Sequence, residues 1–253
     1  MIAAAMMSFA CAVACIGAPA QGKQFSYDPA SAELTVATVG SAEAYEADVE
    51  AIGSDRLSHV WVEHDATMGA ALMFAICDVA NVVSQGTRIE LPAGRLRRPT
   101  LTHTKAGTTY LIVEREDPVT RVWTLLLGRV DDDASVDEWR SVDDIPHNAV
   151  HHAASTIGDD DLAIVWQRLV QGQWDIAFRV FDGRDFRPVE AVAATSWNER
   201  APDIAVTPDG QIFVVWDAFT GESHDVHGRV RVQGRWQTPK ALASGPAFEA
   251  RPT

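Results

Sequence analysis

The chain has 253 residues, 47% hydrophobic and 22% charged, a globular composition that excludes disordered and fibrous classes. Its formal net charge of −14 excludes a protein that grips nucleic acid by neutralising phosphates, because that requires clustered Lys and Arg. The length allows one large domain or two small ones.

Residues 1–20 form an almost unbroken run of apolar and small residues ending in Ala18-Pro19-Ala20, a small-x-small pattern expected to be cleaved before Gln21. The reading is a signal peptide and an exported protein, secreted or periplasmic, with no membrane span after cleavage. A membrane anchor is the competing reading, and the breaks at Gly17 and Pro19 count against it. Cys11 and Cys15 fall inside this segment, so the mature chain keeps only Cys77 and can form no internal disulfide. Ala12-Val13-Ala14-Cys15 lacks the Leu expected three residues before a lipidated cysteine, which leaves a lipid anchor at Cys15 as the lesser alternative. Cys77 ends the apolar run Met73-Phe74-Ala75-Ile76 and reads as a core thiol rather than a nucleophile.

Residues 21–46 hold two strand-like runs around Phe25 and Leu34, expected as the outer strands of an incomplete blade. From residue 47 onward one unit recurs about every 50 residues. The stretch from Ala201 to Trp216 matches that from His151 to Trp166, with Pro208-Asp209-Gly210 over Gly158-Asp159-Asp160. Aligned on the same frame, the anchors Trp61, Glu114, Trp166 and Trp216 are spaced by 53, 52 and 50 residues. The units are placed at 47–97, 98–149, 150–199 and 200–249, with a fifth starting at residue 250. Each holds four short runs rich in Val, Ile, Phe and Trp, closed by Gly or Asp turns, and no run has helical periodicity.

Four strands per repeat with an aromatic anchor predict an all-β fold, a β-propeller of four-stranded blades. A β-sandwich also has short, evenly spaced strands, but it does not require a repeating sequence. Because the fifth unit stops at Arg251-Pro252-Thr253, the parent ring is expected to have six or seven blades. A four-bladed ring with ragged ends is the runner-up.

The recurring order of a Trp, an Asp-[Ile/Val]-x-x-Arg strand, a hairpin and Pro202-Asp203-Ile204-Ala205-Val206 resembles exported bacterial propellers of the sialidase-like (BNR) and TolB-like families. It covers about residues 47–253. The sialidase Asp-box is intact nowhere; Asp182-Gly183-Arg184-Asp185-Phe186 fills its hairpin only in degenerate form. The resemblance therefore implies fold before activity.

Residue types that recur at one repeat position read as structural. The tryptophans are assigned to packing between blades, and Asp175 with Arg179, like Asp225 with Arg229, to a repeated polar pair. The runs Asp131-Asp132-Asp133 and Asp159-Asp160-Asp161 are read as solvated turns, and the histidines at 147, 151, 152, 224 and 227 complete no metal motif. No metal or cofactor is expected. Columns that vary between units are the candidate ligand site. These are Arg98, His151, Arg251 and Asp203 where inner strands begin, with His152, Glu114, Arg168, Asp217 and His224 beside them. Two arginines there could clamp a carboxylate bidentately.

The leading reading is a non-catalytic module that binds a glycan, peptide or protein partner on its loop face. One alternative is a sialidase-like glycoside hydrolase with further catalytic residues in blades beyond this chain. The other is a structural module of a larger surface protein.

Overall fold

The computed structural model describes residues 21–28, 33–40, 43–65, 69–78, 86–145, 148–221, 223–245 and 252, those before 46 through their backbone alone. The expected signal segment, His147 and Arg251 lie outside the described residues.

Every regular element described is a strand. Strands β1 (Gln21–Asp28) and β2 (Glu33–Gly40) pair with each other. Four antiparallel sheets follow, each a meander. The first contains β3 (Glu43–Ile52), β4 (Arg56–Asp65), β5 (Gly69–Asp78) and β6 (Thr87–Ile89). The second contains β7 (Arg95–His103), β8 (Thr109–Glu116), β9 (Trp123–Val130) and β10 (Arg140–Ser141). The third contains β11 (Ala149–Thr156), β12 (Leu162–Val170), β13 (Gln173–Phe181) and β14 (Glu190–Ala193). The fourth contains β15 (Asn198–Val206), β16 (Ile212–Phe219) and β17 (His224–Val232), with β18 (Arg235–Trp236) and β19 (Lys240–Ala243) both on β17. The inner strands β3, β7, β11 and β15 follow one another in contact, so the sheets stack face to face as the blades of a propeller.

Second strands sit in the middle of each blade; those of the first three blades are buried on both faces, hence their continuous apolar runs, whereas β16 of the fourth leaves Phe213 exposed on its far face. In β12, the run from Leu162 to Gln167 is wholly buried. Three clusters form the core between successive blades, each drawing side chains from two sheets. Trp166 packs with Tyr110, Ile112, Leu125 and Leu127 of the second blade, and Trp216 with Val165, Ile176 and Phe178 of the third. Trp166 and Trp216 are thus inter-blade packing, while Trp61 packs on Met73 and Ala75 of its own blade.

A β-bulge in each inner strand sets the frame. The register shifts at Tyr45/Ala47, Arg97/Thr100, Val150/Ala153 and Arg200/Asp203. The bulged residues Glu46, Arg98, His151 and Ala201 have φ of 48, 47, 50 and 46°, in the left-handed region that non-glycine residues avoid. Each lies 15 residues before Trp61, Val113, Trp166 or Trp216. The anchor of the second unit is therefore the buried Val113, not Glu114, and the expected frame is corrected there by one residue. That one step places Glu114 on the opposite face of β8, in the column of Gln167 and Asp217.

The strained bulge is held by the preceding blade. The His151 N–H donates to Glu114 Oε1 at 2.6 Å, the Ala201 N–H to Gln167 Oε1 at 3.0 Å, and the Arg98 N–H to Glu46. Hydrogen bonds of this kind, stronger when the acceptor is charged, offset a backbone strain of about 1 to 2 kcal/mol. A second device uses Arg179 and Arg229. Arg179 Nη1 donates to the Val142 carbonyl at 2.8 Å and Arg229 Nη1 to that of Val192 at 2.6 Å, each in the preceding blade. The expected pairing of these arginines with Asp175 and Asp225 is not formed. Four residues along a strand span about 13 Å, too far for contact.

On β3, Asp48 and Glu50 share a face two residues apart. Burial, reinforced by the Asp48 charge, pushes Glu50 up to about 7. A raised carboxyl favours the fold while protonated, so its contribution is full below the ordinary 4.5 and is lost as pH rises through about 7. The shift corresponds to about 3 kcal/mol at most, and partial exposure reduces this to about 1 to 2. Glu50→Gln should therefore raise stability at pH 8 by about that amount and flatten its fall between pH 5 and 8. Urea unfolding across this range checks the sign; a variant curve parallel to wild type would count against it.

Candidate functional site

A cleft of about 700 Å³ opens where the inner strands of the second, third and fourth blades begin. Its floor carries Arg97, Val150, His151, Arg200 and Ala201 from either side of the bulges, with Gln167 and Asp217 from the second strands. Its walls come from the loop before β9, which supplies Arg121, and from the first residues of the third strands, Trp123, Trp174 and His224. Asn148 and Asn198, 50 residues apart, pin the two tryptophans: their Oδ1 atoms accept the backbone N–H of Trp123 at 3.0 Å and of Trp174 at 3.1 Å.

Arg97 is the most firmly held cation of the cleft. Its Nε donates to Glu114 Oε2 at 2.6 Å and its guanidinium lies over the Trp123 ring, 3.8 Å from the centroid. Glu114 beneath is fully buried and serves as a hub. Besides Arg97 and the His151 N–H, it faces Arg98 Nε at 3.3 Å and His152 Nδ1 at 3.5 Å. Burial would raise its pKa, but His152, Arg97 and Arg98 together outweigh burial and hold the carboxyl below its ordinary value. Glu114 is thus an anion that orders cations and is shielded from solvent.

At the other end Arg200 is exposed at the mouth, and Arg121 is anchored to the buried Glu116 at 3.2 Å. Asp217 is buried and its pKa is raised, chiefly by burial, with His224 acting in the opposite sense. His224 Nδ1 lies 3.4 Å from Asp217 Oδ2. Burial and the positive charges of Arg98 and Arg97 outweigh Glu114 and keep the His151 imidazole below its usual value, hence neutral at pH 7.

Of the residues singled out from sequence, His151, Asp217 and His224 line this cleft. Glu114 and His152 lie under it, buried between blades. Arg98 stands apart, in a smaller hollow with Glu46, Asp48 and Thr100 at the junction of the first two blades. Arg168 alternates with Gln167 along β12, so it turns from the cleft toward the buried Asp143, 3.8 Å away. Asp203 accepts the N–H of Ile204 and is not among the cleft residues. Among the cleft residues that sequence reasoning missed are Arg97, Arg121, Arg200, Trp123 and Trp174. Arg97 and Arg200 each sit one residue before the variable column, and Trp123 and Trp174 are 51 apart, a recurrence that would have marked them. Among the described residues, no group of three or more His, Cys, Asp or Glu could hold a metal ion.

Solved structures with this arrangement of strands exist. The fold is a β-propeller. An unknown-function protein from Dyadobacter fermentans aligns with a TM-score of 0.61 at 11% identity, over 87% of this chain and 72% of that one. An α-L-arabinanase from Penicillium chrysogenum, complexed with arabinobiose, gives 0.52 at 13% identity, over 87% and 70%. The Hadza microbial sialidase gives 0.56 at 12% identity, over 81% of this chain but 46% of its own. No family model matches, and no curated protein matches. At such identities the likeness establishes the β-propeller fold.

Proposed function

We propose that the cleft binds an acidic glycan, a sugar chain bearing carboxylates, in an exported protein. The observation that carries this reading is the convergence of Arg97, Arg121 and Arg200 on one aromatic-walled cleft in a chain of net charge −14. Guanidinium groups match a carboxylate in a planar fork, and Trp174 offers a flat apolar face to the C–H side of a pyranose ring while Trp123 backs Arg97. The apolar leader at residues 1–20 supports export, and propeller neighbours that include an arabinanase and a sialidase support a glycan over a peptide.

Hydrolysis of the two-carboxylate type is less well supported. Both such mechanisms place two carboxyl groups across the scissile bond. Among the described residues Asp217 is the one carboxylate lining the cleft, and Glu114 below it is committed to Arg97.

Arg200→Ala should weaken binding of a uronate or sialyl oligosaccharide about tenfold or more while shifting stability by less than about 1 kcal/mol, because an exposed guanidinium leaves no cavity. Calorimetric titration beside a thermal melt reads both. Unchanged affinity in the variant would remove the arginine cleft from consideration.

A further inference from the structure

The cleft has no pair of carboxylates among its described residues, but it has two histidines set among three arginines. For a uronate whose carboxylate is bound by those arginines, the most acidic C–H is the one at C5, on the carbon bearing the carboxylate. We propose that the cleft cleaves uronate-containing polysaccharides by β-elimination, with His151 as the base that removes this proton. The proposal rests on the acidic-glycan reading and adds to it the substrate class and the reaction.

The chemistry balances without a co-reactant. His151 takes the C5 proton of the uronate, the electron pair forms the C4–C5 double bond, and the C4–O glycosidic bond breaks. The departing oxygen takes a proton from His224, and both imidazoles return to their starting state by exchange with solvent. Negative charge accumulates on the carboxylate as C5 is deprotonated, where Arg97 and Arg200 can stabilise it most. Arg97 is already fixed between Glu114 and the Trp123 ring, so little reorganisation is needed as that charge develops. His151 fits the part of base. It lines the cleft, its backbone is locked by the 2.6 Å hydrogen bond to Glu114, and burial, with the neighbouring arginines, lowers its pKa so that the free base is at hand to accept a proton. His224 fits the part of acid, since it lines the same cleft and its imidazole faces the Asp217 carboxyl at 3.4 Å.

The test is incubation of the wild-type chain with polygalacturonate, polyglucuronate and polymannuronate. The ultraviolet absorbance of the conjugated unsaturated uronate is followed, with mass spectrometry of the ends and affinity electrophoresis to measure retention of each polymer. The expected result is fragments lighter by one water than hydrolysis fragments, from a polymer that also retards the protein. His151→Asn should slow their release by at least about 100-fold, the usual contribution of a positioned base. Asn tolerates the left-handed backbone at this site, so the melting temperature should hold, and His151→Gly provides a second variant with the same φ freedom. A polyuronate retained by the protein but left intact, or cut only to saturated ends, would overturn the elimination and leave the acidic-glycan reading standing. Elimination by His151→Asn at the wild-type rate would overturn the role of His151. Absence of retention by any acidic polymer would sink both readings.

Discussion

Trp166→Ala should destabilise the protein by about 3 to 5 kcal/mol, the range for truncating a large buried aromatic. The side chain is fully buried between the second and third blades, and its Nε1 donates to Asp143 Oδ2 at 3.0 Å. Removing it opens a cavity among Tyr110, Ile112, Leu125 and Phe181, and takes a donor from a buried carboxylate that then keeps the Ile145 N–H at 3.3 Å and Arg168 at 3.8 Å. Because neighbouring blades share this cluster, the loss should appear in the cooperative unfolding of both. Denaturant unfolding followed by the remaining tryptophans measures it, and a loss under about 1 kcal/mol would mean that the blades do not pack as described.

Glu114→Gln should cost about 3 kcal/mol and also blunt anion binding. The carboxylate, itself fully buried, holds the partly exposed Arg97 and Arg98 and the His151 N–H, and because water can reach those cations the cost stays at the low end of the range for breaking a buried ion pair. Gln keeps the shape and can still accept from His151, but its amide NH₂ meets the Arg97 donors head on. The pH dependence gives a second signature. A carboxyl held below its ordinary value stabilises the fold above the unfolded-state value of 4.5, and that stability is lost as pH falls through the lowered one. Wild type should therefore lose stability below about pH 4.5, and Glu114→Gln should lose less over the same interval. Equal acid lability in the two would assign the effect to other carboxylates.

These residues show which parts of the structure the sequence announces. Blade architecture is legible because each blade solves the same packing problem with the same residue types, so Trp166 and Trp216 and the hairpins after Asp182 and Gln233 recur in register. The face that carries the cleft could be named from where inner strands begin. Its individual residues were harder to read. A bulge sets two residues opposite one, so alternation counted from the column cannot say which side chain enters the cleft, and Arg97 and Arg200 do so where Arg98 does not. The acceptor that steadies each bulge is a Glu, a Gln, or a Glu from a different strand, at Glu114, Gln167 and Glu46. A geometric role filled by changing residue types leaves no repeat to find, and Glu114 accordingly passed for a misplaced anchor. Arg179 and Arg229 taught the converse. Their recurrence was visible, but their partners are carbonyls of the preceding blade, which no sequence spacing reveals.

The most direct test of the central claim compares one oligosaccharide in two forms, a uronate oligomer and its carboxyl-reduced counterpart, titrated calorimetrically into the wild-type protein at low and moderate salt. The arginine cleft predicts that the acidic form binds, that the neutral form binds at least about tenfold more weakly, and that salt narrows the gap by screening. Equal affinity for the two forms, or a gap that persists unchanged in the Arg97→Ala, Arg200→Ala double variant, would contradict it.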